Sequence, residues 1–128
     1  MAAQITDQAG PRLAQARMLL AEAGRTGDPG ERFRLAHLAA LRIAAAALAE
    51  RGRPASARRR LISVWLLLAK VAPEYDSWIR YFAAGAPIRA AVEAGAPSAV
   101  SATAADAQLR AALDFLAAIE GSLGMLAA

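Results

Sequence analysis

Phe33-Arg34-Leu35-Ala36-His37-Leu38-Ala39-Ala40-Leu41-Arg42-Ile43-Ala44-Ala45-Ala46-Ala47-Leu48 decides the fold. Alanine costs least of all residues to place in a helix, and leucine and arginine cost little more. Leu38, Leu41, Ala45 and Leu48 fall three and four apart on one stripe, and Phe33, His37, Ala40 and Ala44 line the adjoining one. An apolar face this wide, built mostly from alanine, suits a central helix that its neighbours approach closely. Asp28 is a good N-cap, Pro29 a good first residue, and Glu31 completes a capping box. Gly52 and Pro54 stop the element, so the pattern predicts a helix from Pro29 to about Arg51.

Upstream, Leu13, Ala16, Leu20 and Ala23 form the buried stripe of a first helix, with Met18 and Leu19 widening it. Its start lies at Thr6 or Asp7, or at Gly10 with Pro11 in the first turn. Downstream, Pro54 or Ser56 starts a third helix that reaches Val71 and is apolar on nearly every side from Leu61 to Ala69. Pro73 begins a fourth, with Glu74 and Asp76 in the first turn, Tyr75, Trp78, Ile79 and Phe82 at helical spacing, and Asp76 paired with Arg80. Gly85-Ala86-Pro87 breaks or kinks it, and a short helix follows to Glu93. Ser101 or Thr103 caps a last helix, with Leu109, Leu113, Leu116 and Ile119 or Glu120 inward and Asp106, Arg110 and Asp114 outward. No strand-like alternation interrupts this order. The expected fold is all-α: one domain over residues 1–128, core about 10–120, an up-and-down bundle of four long helices plus a short one.

Composition narrows the chemistry. With 57% hydrophobic residues the 128-residue chain can bury a core, and with no cysteine it has neither disulfides nor thiolate ligands. A single histidine without paired carboxylates beside it argues against a metal site, and nothing points to a cofactor. The longest strongly apolar run, Leu61 to Ala69, is far short of the roughly 20 residues that span a bilayer. No secretory signal opens the chain, so a cytoplasmic protein without a membrane partner is expected. Fourteen of the 15 basic residues are Arg, and nine of them lie between residues 25 and 60 against Asp28, Glu31 and Glu50, which makes the positive field local.

His37 is the one histidine. Arg32-x4-His37 could promote attack of a ribose 2′-hydroxyl on its phosphodiester, Arg holding the phosphate and His moving the proton. Five residues turn about 140° net around a helix, so Arg32 and His37 do not stack, and Arg34 is the better neighbour. The plainer reading is a seam residue whose ring bonds a side chain of a facing helix. Arg42, between Leu41 and Ile43, either snorkels at the helix edge or engages a carboxylate from a neighbour. Arg51, Arg53, Arg58, Arg59 and Arg60 form a basic patch that could supply affinity for RNA or DNA, although no aromatic residues interleave with it to stack bases. Trp65, Trp78, Tyr75, Tyr81 and Phe82 fill space in the core, or in part make a subunit contact.

Ala36-His37-Leu38-Ala39-Ala40-Leu41-Arg42-Ile43-Ala44-Ala45-Ala46-Ala47-Leu48 resembles a HEPN-type helical domain, within a small actinobacterial group. Glu31-Arg32-Phe33, Ser63-Val64-Trp65, Leu68 to Glu74, and Trp78 with Phe82 to Ala86 add to the likeness. It implies a compact bundle that dimerises, with ribonucleases and partners of nucleotidyltransferases among its relatives. It also implies an Arg, four to six residues, then a His on a late helix as the usual catalytic pattern. Here Thr103 to Glu120 carries Arg110 and no histidine. The expectation is a non-catalytic homodimer acting through protein interaction, such as with a nucleotidyltransferase-like protein. The alternatives are a metal-independent ribonuclease using His37 with Arg32, Arg34 or Arg42, and nucleic-acid binding through Arg51 to Arg60.

Overall fold

The computed structural model describes residues 9–52, 63–96 and 98–127. These form five α-helices: α1 Ala9–Arg25, α2 Pro29–Arg51, α3 Val64–Val71, α4 Asp76–Glu93 and α5 Ala102–Ala127, with a 3-10 turn Pro73–Tyr75 before α4. The architecture is all-helical. α2 lies at the centre and packs against all four other helices. Arg32 near its start reaches Ala23 of α1 and Asp106 of α5, while Arg51 at its end reaches Val71 and Glu74. Gly30 lies beside Val92, and His37 beside Phe82, so α4 runs antiparallel to α2. Arg17 of α1 pairs with Glu120 of α5, and Arg32 joins the end of α1 to the start of α5, so these two helices run antiparallel.

The capping signals translate directly. Asp28 accepts the Glu31 amide at 2.8 Å, while the Glu31 carboxylate turns to Arg34 instead of closing the box. Ser63 caps α3 through the Trp65 amide, and Ser101, not Thr103, accepts from the Ala104 amide at 3.0 Å. The start expected for the third helix falls outside the described residues.

Burial makes α2 the core. Phe33, Leu35, Ala36, His37, Ala39, Ala40, Ile43, Ala44, Ala46, Ala47 and Leu48 are all buried. Leu38, Leu41 and Ala45, read as a main stripe, form its half-buried edge. The α1 stripe Leu13, Ala16, Leu20 and Ala23 is buried as expected, but Met18 is 72% exposed. α5 is rotated from its expected phase. Its inner face is Ala105, Gln108, Ala112, Phe115, Leu116, Ile119 and Leu123, and Leu113 is 47% exposed. Phe115 explains that rotation, because its ring meets four others: Trp65 at 6.3 Å, Tyr75 at 6.1 Å, Trp78 at 5.6 Å and Phe82 at 5.5 Å between centroids. Aromatic contacts of this kind add to the area they bury.

The break expected at Gly85-Ala86-Pro87 does not occur. α4 continues through Pro87 to Glu93, so the separate short helix after it is absent and the count of long and short elements changes. Pro87 removes the donor for the Ala83 carbonyl, but Ala83 and Pro87 both face solvent, where water can serve that carbonyl. The cost of the proline is thereby reduced, and packing on α2 carries the helix across it.

Replacing Phe115 with Ala should remove the hub of the aromatic cluster and lower stability by about 3–5 kcal/mol. The same change at exposed Leu113 should cost well under 1 kcal/mol, on the order of a surface substitution. Urea unfolding of the two variants measures the contrast.

Candidate functional site

His37 sits on α2 where α2, α4 and α5 meet. Phe33, one turn earlier, stacks on its ring at 6.2 Å with the planes 11° apart. The ring is 1% exposed. Its Nε2–H donates to the Phe82 carbonyl at 2.9 Å, which assigns the Nε2-protonated tautomer. The partner is thus a main-chain oxygen of α4, not the facing side chain that the sequence suggests. Nδ1 is left without a hydrogen-bond partner, as is the Nε2 of Gln108, the other buried polar residue among those described.

Gly85 makes this approach feasible. A Cβ at that position would lie 3.2 Å from His37 Cδ2 and 3.2 Å from Phe33 Cζ. The two rings therefore close directly over the α4 backbone, with the Gln108 amide at their side. Burial holds the imidazole pKa below its ordinary value. The bond to Phe82 opposes that shift, the Arg89 charge adds to it, and Glu93 counters it weakly.

Two of the three candidate arginines, Arg32 and Arg34, are committed elsewhere. Arg32 donates from Nε to Ala23 O at 3.0 Å, from Nη2 to Thr26 O at 2.5 Å, and from Nη1 to Asp106 at 2.6 Å. It closes the carboxyl end of α1 and ties the starts of α2 and α5 to it. Helix C-termini present carbonyls that lack intrahelical donors, and a guanidinium is well shaped to take two of them. Arg34 forms a two-pronged pair with Glu31 at 2.8 Å in each bond, which holds the Glu31 carboxyl below its ordinary pKa and raises that of Arg34. Arg42 is exposed and makes no hydrogen bond or ion pair among the described residues, which agrees with a side chain at the helix edge. The structure therefore does not gather His37, Arg32, Arg34 and Arg42 into one constellation.

Of the basic patch, Arg51 bonds Val71 O at 2.9 Å and pairs with Glu74, which neutralises it and raises its pKa. Arg53, Arg58, Arg59 and Arg60 lie outside the described residues. Tyr81 is partly exposed on α4 while Trp78 is half-buried, so the aromatic group is mainly core, with Tyr81 at its edge. Among the described residues there is no group of three or more metal-ligating side chains. No helix among them is long and apolar enough to cross a membrane. Sequence reasoning missed Gln108 and Gly85, although a glycine four residues beyond Tyr81 on an otherwise alanine-rich helix is a signal of close approach.

Two glycine substitutions separate propensity from packing. Gly24→Ala meets nothing within 4 Å and should stabilise α1 by up to about 1 kcal/mol. Gly85→Ala gains the same propensity but forces two buried rings apart, and should be destabilising by about 1–3 kcal/mol. Thermal melts of both variants read the two signs. Arg32→Met, which keeps bulk and loses the three bonds, should cost about 1–3 kcal/mol in the same assay.

Comparison with known proteins bears on the fold that frames this site. Comparison with curated proteins and with solved structures found no match. A family model described as SAV_6107-like HEPN matches residues 23–120. That span runs from the end of α1 through most of α5 and includes every residue around His37. The chain belongs to the SAV_6107-like HEPN family.

Proposed function

We infer that the protein is a non-catalytic HEPN-like helical domain, acting through protein interaction as a homodimer. The observation that carries this reading is the state of its only histidine. His37 is sealed between Phe33, Gly85 and Gln108, spends its one N–H on the Phe82 carbonyl, and has no arginine bonded to it. A general base must reach the proton it abstracts, and a ring without solvent access cannot meet a ribose hydroxyl. α5 supplies no second histidine, since Arg110 and its neighbours on that helix include none. Arg32, the residue at the motif spacing, is consumed by α1 and α5.

The interaction role draws on what the bundle leaves outside: Met18, Leu66, Tyr81 and Leu113 are large apolar side chains exposed on α1, α3, α4 and α5. Singly exposed apolar residues are ordinary, so the proposal rests on the family and on the absence of a reachable catalytic pair. A nucleotidyltransferase-like protein is the partner class that the family suggests. Nucleic-acid binding through Arg53, Arg58, Arg59 and Arg60 is the competing use of the surface, with Arg51 already paired to Glu74.

The test incubates the full chain with single-stranded and hairpin RNA in the presence of a chelator. Intact RNA is the expected result, together with a concentration-dependent dimer in sedimentation equilibrium. Cleavage that His37→Gln abolishes would overturn the reading in favour of a ribonuclease. A monomer at all concentrations that binds RNA with steep salt dependence, lost on reversing Arg58, Arg59 and Arg60, would favour the nucleic-acid module.

A further inference from the structure

α5 turns one face to the core and leaves the opposite one bare. At about 100° per residue, Ala107, Arg110, Leu113, Asp114 and Ala117 fall together on that outer face, and all five are exposed. The acidic residues along its edge are already spent, Asp106 on Arg32 and Glu120 on Arg17. Arg110 and Asp114 are not. They stand one turn apart, in the order that pairs less well within a helix, and neither makes a hydrogen bond or ion pair among the described residues. Between them in the chain lies Leu113, 47% exposed. An uncovered leucine beside two unspent charges of opposite sign suits a partner that carries the same three groups in reverse.

A second copy of the chain supplies that pattern. In a two-fold contact, residue i of one copy meets residue j of the other, and j meets i. Two α5 helices laid antiparallel, with the axis at the level of Ala112, set Arg110 of each copy against Asp114 of the other. The same register sets Ala107 against Ala117, whose small side chains let the two backbones come close. The two Leu113 side chains then lie within one residue of the axis and meet across it. A parallel pair would set Arg110 on Arg110 and Asp114 on Asp114, so charge selects the antiparallel register.

We propose, resting on the homodimer reading above, that the outer face of α5 is the contact between copies, crossed antiparallel with Leu113 at the axis and an Arg110–Asp114 ion pair on either side of it. One large apolar side chain per copy makes a small contact, so the dimer is a dissociating one and not an obligate one. Leu113 lies outside the core of the monomer, so its loss acts on association and leaves the fold standing.

Sedimentation equilibrium of the full chain and its variants tests the register. Leu113→Glu should stay monomeric across the range in which the unmodified chain dimerises, with the same far-ultraviolet dichroism. Arg110→Asp and Asp114→Arg each turn both ion pairs into repulsions, and each should weaken the dimer by about tenfold or more. The double variant Arg110→Asp with Asp114→Arg restores opposite charges across the axis, and should return to within about threefold of the unmodified chain. A dimer indifferent to Leu113→Glu and to both reversals, or a double variant no tighter than either single one, would overturn this contact while leaving the homodimer itself in place. A chain that is monomeric at every concentration would overturn both.

Discussion

The close approach of four helices to α2 is the constraint on which the rest of the structure depends. A central helix ringed by others has almost no outward face, and large side chains all around it would hold its neighbours apart. α2 meets this condition with alanine at Ala36, Ala39, Ala40, Ala44, Ala46 and Ala47, each buried. Bulk is then supplied from the surrounding helices, by Leu13 and Leu20 of α1, by Trp65 and Leu68 of α3, and by Phe82 and Phe115 of α4 and α5. The division is asymmetric. On the α1 side Ala9, Ala16 and Ala23 lie among Leu13 and Leu20, while α3, α4 and α5 bring the aromatic rings. His37 lies between Phe33 and the Gly85 backbone, where α4 comes nearest.

That arrangement explains what could be read from the chain and what could not. The α1 stripe and the bounds of α2 were legible because caps, prolines and glycines bracket them, whereas the main stripe expected for α2 lies at its half-buried edge. For His37 the run suggests a seam residue without fixing its exposure, which depends on how α4 and α5 pack over it. The phase of α5 was not legible. Ala105, Ala112 and Gln108 go inside while Leu113 stays out, and alanine is at home on either side, so hydropathy alone favours the leucine stripe. Only the aromatic partners of Phe115, distant in sequence, fix the rotation.

Pro87 misled for a different reason. Local chemistry disfavours a proline inside a helix, and Gly85-Ala86-Pro87 reads as punctuation. Here the glycine serves contact with His37 and Phe33, and the proline occupies the wet side, where a lost helical bond is least costly. Arg32 presents the same lesson on the functional side. A spacing that suggests a catalytic pair in one dimension turns out to be a clamp on the end of α1. What the sequence could not state is which acceptors would compete for the guanidinium, because Ala23, Thr26 and Asp106 converge only once three helices have packed.

The aromatic hub has an optical consequence. The chain contains two tryptophans, Trp65 and Trp78, and both rings touch Phe115. Intrinsic fluorescence therefore samples a single region, the junction of α3, α4 and α5, and is nearly blind to α1. Far-ultraviolet dichroism weighs every helix by its length. Should the α1–α2 hairpin and the aromatic side of the bundle come apart at different denaturant concentrations, the two signals would separate. The molecule thus carries one reporter for its aromatic side and another for its helices as a whole.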